Sequence, residues 1–330
     1  MSGMAVFLAV LLVVAFALPT PGFGQSSPPR FRVEASFIKV PVTVSDGHGR
    51  SIQDLGPRNF KVFDEGEERA IDNFVLDKNP VNVVILLDMS GSVREEIDEI
   101  KDAAISFSKV FDKEDRISVM TFADELHLLQ DWTNNPGKVR KALKKAEPGY
   151  RTALFDALQK VGRDRFRSVS GKKVIIVLTD GVDNESQTAF EAVLPQLVQA
   201  DVALYIVSRT RLILREVQRQ ARVEFLNQVM KNLLKDDEDF VELYFREKET
   251  AMEHLSESTG GRVLYPLKLE DLRGSYEQVA KELKSQYLLT FRPPLQSDKQ
   301  FRNIRVACSD PMAIVHHREQ YAWSPPGGRR

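Results

Sequence analysis

The chain has 330 residues, of which 42% are apolar and 28% are charged, a composition typical of a globular protein with about two domains. Its 46 Lys and Arg residues nearly balance its 47 Asp and Glu residues, so no strong electrostatic field favours nucleic acid or an anionic membrane surface. Nucleic acid is therefore not an expected partner.

The first predicted element is an uninterrupted apolar run at residues 5–18, which is followed by prolines and small residues. About 14 apolar residues are short for a membrane-spanning helix, which needs ~20, but they are typical of the core of a signal peptide. We therefore expect residues 1–24 to be a signal peptide and the chain to be exported to the periplasm, the cell envelope or the extracellular space. The alternative is that this segment is retained as an N-terminal membrane anchor. The single cysteine, Cys308, cannot form an internal disulfide, so the fold must depend on its apolar cores.

A polar linker at 25–30 leads into a predicted N-terminal β module at 31–80. Apolar and polar residues alternate over 31–45, and two further short strands are expected at 60–63 and 71–76.

The pattern changes at Val81. Short β-branched runs at 81–87, 116–122, 173–179 and 202–207 alternate with helical patterns at 95–111, 136–145, 153–167 and 189–200. This alternation predicts an α/β domain with a doubly wound, mostly parallel sheet covered by helices on both faces.

We expect this domain to span residues 81–284 and to contain a charged helical insertion at about 209–257. Apolar residues recur in the insertion at helical spacing, which is typical of a helix packing one face on the domain; a partner-binding insertion is the alternative. A short strand at 262–265 and an amphipathic helix at 269–283 complete the predicted domain.

Strands return at 286–291, 301–308 and 313–317, within a predicted C-terminal β region at 285–323 that precedes a disordered tail at 324–330. Short sets of strands rarely stand alone, because they bury too little apolar surface. We therefore expect the N- and C-terminal flanks to pair into one β-sandwich, with the α/β domain inserted between them.

Polar oxygen-bearing residues follow two predicted strands and precede one helix. Asp88, Ser90 and Ser92 come directly after the strand at 81–87, Thr152 comes before the helix at 153–167, and Asp180 comes after the strand at 173–179. Ligands of open α/β sheets bind at the carboxyl ends of the strands, where these residues should converge. Carboxylate and hydroxyl oxygens are typical ligands of Mg²⁺, Mn²⁺ or Ca²⁺, so we expect a divalent cation as the cofactor.

The residues Asp88-x-Ser90-x-Ser92, Thr152 in a Gly-x-x-Thr-Ala-Leu setting and Asp180-Gly181 resemble the metal-ion-dependent adhesion site of von Willebrand factor type A domains. The resemblance implies that the two serines and Thr152 are direct metal ligands and that the aspartates act partly through water. It also implies that a partner protein supplies an acidic side chain to the metal. The flanking segments at residues 40–44 and 59–66, together with those at 259–262 and 285–289, are similar to those of a bacterial group of type A-related proteins known mainly from Acidobacteria. This resemblance implies export and a metal-site domain but no defined partner.

The sequence favours a binding module over an enzyme. Its five histidines show no HExxH spacing, and it contains neither a Gly-x-Ser-x-Gly elbow nor a P-loop, so we expect no catalytic residues and no small-molecule substrate. The alternative is a structural or assembly component of an envelope complex whose metal site is incidental. The acidic residues Glu95, Glu96, Asp98 and Glu99 are expected to form a solvated helix face.

Overall fold

A computed structural model describes residues 37–47, 50–221 and 237–325, without the side chains of Ser92, 217–221 and 237–241. The predicted signal peptide, the linker, the first part of the predicted strand at 31–45 and the last five residues of the predicted tail lie outside the described residues. In the described part, no helix is both long and apolar enough to cross a membrane.

The described secondary structure comprises fourteen strands and seven helices, besides short 3-10 turns. The strands are β1 (Ile38–Ser45), β2 (Phe60–Asp64), β3 (Glu67–Arg69), β4 (Asn73–Leu76), β5 (Val81–Asp88), β6 (Arg116–Phe122), β7 (Leu126–Thr133), β8 (Lys172–Thr179), β9 (Ala203–Ser208), β10 (Val263–Leu264), β11 (Tyr287–Phe291), β12 (Phe301–Cys308), β13 (Ile314–His317) and β14 (Gln320–Ala322). The helices are α1 (Ile97–Ser108), α2 (Pro136–Leu143), α3 (Leu154–Asp164), α4 (Phe190–Ala200), α5 (Thr210–Ala221), α6 (Asp237–Ser258) and α7 (Asp271–Lys284).

A six-stranded sheet in the order β10-β9-β8-β5-β6-β7 forms the centre of the fold. Its strands are parallel except for β7, which pairs antiparallel with β6 at the edge. The central strand β5 is buried along its whole length, and its side chains alternate between the two faces of the sheet. Val83 and Ile85 contribute to the core beneath α1 and α7, whereas Val84 and Leu86 contribute to the core beneath α3 and α4. The predicted doubly wound α/β fold class is thereby confirmed.

The N- and C-terminal strands pair with each other in two antiparallel sheets. One sheet has the order β13-β1-β11-β4 and the other β14-β12-β2-β3, so each contains strands from both ends of the described chain. Val40 and Leu289 of the first sheet share one apolar core with Val62 and Val306 of the second. The expected pairing of the flanks is therefore present, although the residue boundaries given above for the separate domains remain predictions.

Three strands, β3, β7 and β14, were not expected from the sequence. The strand β7 has no strict alternation in exposure, because it lies at the sheet edge with several side chains partly exposed. The strands β3 and β14 have only three residues each. In the predicted insertion, the structure shows the helices α5 and α6, and residues 222–236 between them lie outside the described part.

Candidate metal site

The first part of the candidate site lies at the carboxyl end of β5, next to β8. The two strands are paired up to Leu87 and Leu178, which places Asp88 beside Thr179. Both residues are fully buried. The Thr179 hydroxyl donates to Oδ2 of Asp88 at 2.8 Å, and the backbone N–H of Ser90 donates to Oδ1 at 2.9 Å. These two bonds fix the orientation of the Asp88 carboxylate.

Backbone contacts join the loop after β5 to the loop before α3. The Gly149 N–H donates to the Met89 carbonyl at 2.6 Å, and the Met89 N–H donates to the carbonyl of Phe122 at the end of β6. Ser90 is buried in this loop. Ser92 lies in the 3-10 turn Gly91–Val93, but its side chain is outside the described part, so its predicted role as a ligand stays a prediction.

Thr152 is held between the loop before α3 and the loop after β8. Its N–H donates to Oδ1 of Asn184 at 2.9 Å, and its carbonyl accepts from the Asn184 N–H at 3.0 Å. The Asp183 carboxylate accepts from the N–H of Phe155 in the first turn of α3, at 2.9 Å. Because the N–H groups at a helix start have no partner within the helix, this carboxylate stabilises the start of α3 from the other loop.

Asp180 is buried directly after β8, and its Oδ1 accepts from the Val182 N–H at 3.0 Å. The loop turns at Gly181, whose φ of +75° lies in the region that favours glycine. A Cβ at this position would lie 2.8 Å from the terminal atoms of the Met252 side chain, so α6 packs closely against the loop. The structure thus places Asp88, Ser90, Thr152 and Asp180 on three joined loops at one edge of the sheet.

The electrostatics of this edge fit a bound cation. Burial, followed by the nearby charge of Asp180, raises the pKa of Asp88 to about 6. In the described part of the chain, neither carboxylate forms an ion pair with Lys, Arg or His. Burying carboxylates without a cationic partner is costly, and a divalent cation would compensate for them. The described residues contain no cluster of three or more His, Cys, Asp or Glu suited to metal binding, so such a cation would also need hydroxyl oxygens. Carboxylate and hydroxyl ligands suit Mg²⁺, Mn²⁺ or Ca²⁺.

One residue of the expected solvated acidic face has a different role. Glu96 accepts two hydrogen bonds from the Arg209 guanidinium, at 2.9 Å from Nε and 2.6 Å from Nη2. Arg209 is 1% exposed and follows β9, where its N–H donates to the Thr179 carbonyl. The prediction of a solvated face was therefore wrong for Glu96. Its partner Arg209 lies 113 positions away in the sequence, so the local pattern could not indicate this contact. This ion pair connects the turn before α1 to the edge that carries Asp180.

Sequence reasoning thus missed the residues that support the site. Thr179 orients Asp88, Asn184 holds Thr152, and Arg209 anchors Glu96. The position of Thr179 at a strand end, next to Asp180, was the one signal that could have identified it. Nothing local to the sequence indicates the contacts made by Asn184 and Arg209.

Comparison with known proteins gives one family match, and residues 83–182 match the family model described as the von Willebrand factor type A domain. No curated protein matches the chain. Several solved structures are similar.

One of these structures is a conserved hypothetical protein, BatB, from Bacteroides thetaiotaomicron, with 18% identity and a TM-score of 0.35 over 39% of this chain and 66% of that one. Another is proximal thread matrix protein 1 from the mussel byssus, solved with a zinc-occupied MIDAS motif, with 16% identity and a TM-score of 0.47 over 67% of this chain and 49% of that one. A third is a von Willebrand factor type A protein from Catenulispora acidiphila, with 10% identity and a TM-score of 0.45 over 89% of this chain and 76% of that one. The chain thus spans less than two thirds of the Bacteroides protein and about half of the mussel protein.

Proposed function

Residues 83–182 match the von Willebrand factor type A domain, so the chain contains a domain of this family. We propose that the chain is an exported, metal-dependent binding module that captures an acidic side chain of a partner protein. Domains of this family are in general interaction modules rather than enzymes, which agrees with the absence of a catalytic motif in the sequence. The observation that carries the proposal is the pair of buried carboxylates, Asp88 and Asp180, at the carboxyl edge of the sheet without a cationic partner in the described part.

The residues that would hold the cation are Asp88, Ser90, Ser92, Thr152 and Asp180. A Mg²⁺, Mn²⁺ or Ca²⁺ ion bound there would supply an open coordination position for a carboxylate oxygen of the partner. The chain's own contribution is rigidity. Asn184 holds the Thr152 backbone, and Thr179 together with the Ser90 N–H holds the Asp88 carboxylate, so little reorganisation is needed when the partner binds.

Binding of the cation is tested first, by thermal unfolding of the chain in chelator and in Mg²⁺, Mn²⁺ or Ca²⁺. A metal that binds only the folded state stabilises it by about 2.7 kcal/mol at a hundredfold excess over Kd. We expect a rise in Tm that Asp88→Ala abolishes. The matched control Asp98→Ala removes an exposed carboxylate of α1 and should leave the rise intact. No rise with any of the three ions would contradict the metal site.

Capture of a carboxylate is tested by selecting peptides from a random heptapeptide display library, once in Mg²⁺ and once in chelator. The proposal predicts enrichment of peptides with Asp or Glu in Mg²⁺ only, and loss of this enrichment in Asp88→Ala. Enrichment that persists in chelator and in Asp88→Ala would favour the alternative, an assembly component of an envelope complex with an incidental metal site.

The proposal that the chain is exported is based on the apolar run at residues 5–18 and on the small residues that follow it. Fractionation of cells that express the chain, with N-terminal sequencing of the product, tests this part of the proposal. A mature protein in the periplasm, envelope or medium that begins near residue 25 supports cleavage. An uncleaved membrane-bound product would show that the segment is an anchor, and a cytoplasmic product would contradict export.

A further inference from the structure

An exposed tyrosine stands beside the candidate metal site. Tyr150 is 82% exposed, more than any other large apolar side chain in the part of the chain that the structure describes. The guanidinium of Arg94 lies over its ring, 5.5 Å from the centroid, and Nη2 of Arg94 lies 3.5 Å from the Gly149 carbonyl oxygen. One face of the ring is therefore supported by a cation, and most of the ring is open to solvent.

The backbone beneath this ring is held in place. The Tyr150 N–H donates to Oδ2 of Asp124 at 3.2 Å, and the preceding residue, Gly149, donates to the Met89 carbonyl. A Cβ on Gly149 would lie 2.5 Å from the Cβ of Ala123, so the loop is packed too closely for a larger residue there. A side chain on a fixed loop loses little conformational freedom when it makes a contact, which favours its use in binding.

Two arginines, Arg94 and Arg151, lie near Tyr150 and differ in what their guanidinium groups contact. Arg151 forms an ion pair with Glu185 of the loop after β8. Arg94 forms no ion pair with a carboxylate in the described part, and its contacts are the Tyr150 ring and the Gly149 carbonyl. Tyr and Arg are the residue types, together with Trp, that carry most of the binding energy at protein interfaces.

The distance of Tyr150 and Arg94 from the candidate metal ligands determines which residues of a bound segment can contact them. Tyr150 is two residues before Thr152, and Arg94 is two residues after Ser92, so each lies within about 7 Å along the chain from a candidate ligand of the metal. A segment that places a carboxylate at the metal advances by about 3.5 Å per residue. Its side chains one or two positions from the carboxylate can therefore meet the Tyr150 ring.

This inference rests on the function proposed above. We propose that Tyr150, supported by Arg94, is a second contact point that selects partner segments carrying an aromatic side chain within two residues of the captured Asp or Glu. Aromatic rings stack on each other in offset or edge-to-face arrangements, and the exposed part of the Tyr150 ring is open to such a contact. The partner is thus an acidic-aromatic segment rather than any acidic surface.

The same heptapeptide library tests this specificity. In Mg²⁺, the wild-type protein should enrich peptides with an aromatic residue one or two positions from Asp or Glu. In Tyr150→Ser, the acidic residue should still be required, but the aromatic preference should disappear, and the best wild-type peptide should bind about three- to tenfold more weakly. The matched control Leu295→Ser removes a 71% exposed apolar side chain from another part of the chain and should leave the preference unchanged.

Calorimetric titration with Mg²⁺ alone should give the same affinity for the wild type and for Tyr150→Ser, because the tyrosine side chain is not a metal ligand. An acidic preference without an aromatic one in the wild type, a preference for a second acidic residue instead, or an aromatic preference that survives in Tyr150→Ser would overturn the inference. Failure of the proposed function gives a different result, namely no Mg²⁺-dependent enrichment of acidic peptides, and the inference would fall with it.

Discussion

Among the contacts that support the candidate site, those of the Thr179 hydroxyl can best be tested by a single substitution. It donates to Oδ2 of Asp88 and accepts from the Gly181 N–H at 3.1 Å, and the residue is completely buried. Valine has nearly the same shape but can make neither bond. A hydrogen bond to a charged group contributes about 1.5–3 kcal/mol, and a buried donor left without a partner costs about 1–3 kcal/mol. Since the two effects overlap, we expect Thr179→Val to lower the free energy of unfolding by about 2–4 kcal/mol.

Urea denaturation in chelator measures this loss without any contribution from bound metal. The control Thr179→Ser keeps the hydroxyl and removes one methyl group, so it should lose only about 1 kcal/mol. In calorimetric titrations, Thr179→Val should also bind Mg²⁺ about 10- to 100-fold more weakly, since groups that orient metal ligands have effects of this size. If the valine variant is as stable as the serine variant and binds Mg²⁺ equally well, the hydroxyl does not hold Asp88 and the reasoning fails.

Three further substitutions test a buried ion pair, a buried histidine and the glycine at which the loop after β8 turns. Glu96→Ala removes the carboxylate that accepts two hydrogen bonds from the buried Arg209 and should cost about 1.5–3 kcal/mol in urea denaturation, whereas Glu95→Ala next to it should change stability by less than about 0.5 kcal/mol. Burial lowers the pKa of His317, whose Nε2 accepts a hydrogen bond from the Val306 N–H. The contribution of the neutral imidazole to stability is complete above about pH 6.5 and is lost as the pH falls through the lowered pKa. His317→Gln can still accept this bond, so this variant should lose less stability between pH 7.5 and pH 5 than the wild type. Gly181→Ala should cost about 1–2 kcal/mol by thermal unfolding, because its φ of +75° disfavours a side chain; a neutral result would mean that the loop relaxes freely.

The sequence was sufficient to predict the central sheet, because the sheet depends on local patterns, and the expectation of a site at its edge came from the same kind of pattern. The run at β5 is apolar throughout, as a parallel strand buried on both faces must be, and a buried strand followed by Asp88 marks the carboxyl edge of the sheet. The order of strands and helices then places Thr152 and Asp180 at the same edge.

The supporting contacts could not be predicted in the same way. Arg209 and Glu96 are 113 positions apart, and Thr179 and Asp88 are 91 positions apart. An acidic residue near a helix start has the same local pattern whether it faces solvent or a buried guanidinium. The edge strand β7 was missed for a related reason, since a half-exposed strand lacks the continuous apolar run that identifies β5 and β8.

The pairing of the two flanks determines when during synthesis each strand can pair with its neighbour. The buried ion pair between Asp64 of β2 and Arg302 of β12 joins residues 238 positions apart. At a synthesis rate of about 5–20 residues per second, β2 waits roughly 10–50 s for its neighbour β12. In the central sheet, β5 waits less than half as long for its neighbour β8, because Asp88 and Thr179 are only 91 positions apart. During this interval β1 and β2 have unpaired edges, which are prone to pair with other chains. Nascent chains are therefore most exposed to aggregation before β11 and β12 emerge.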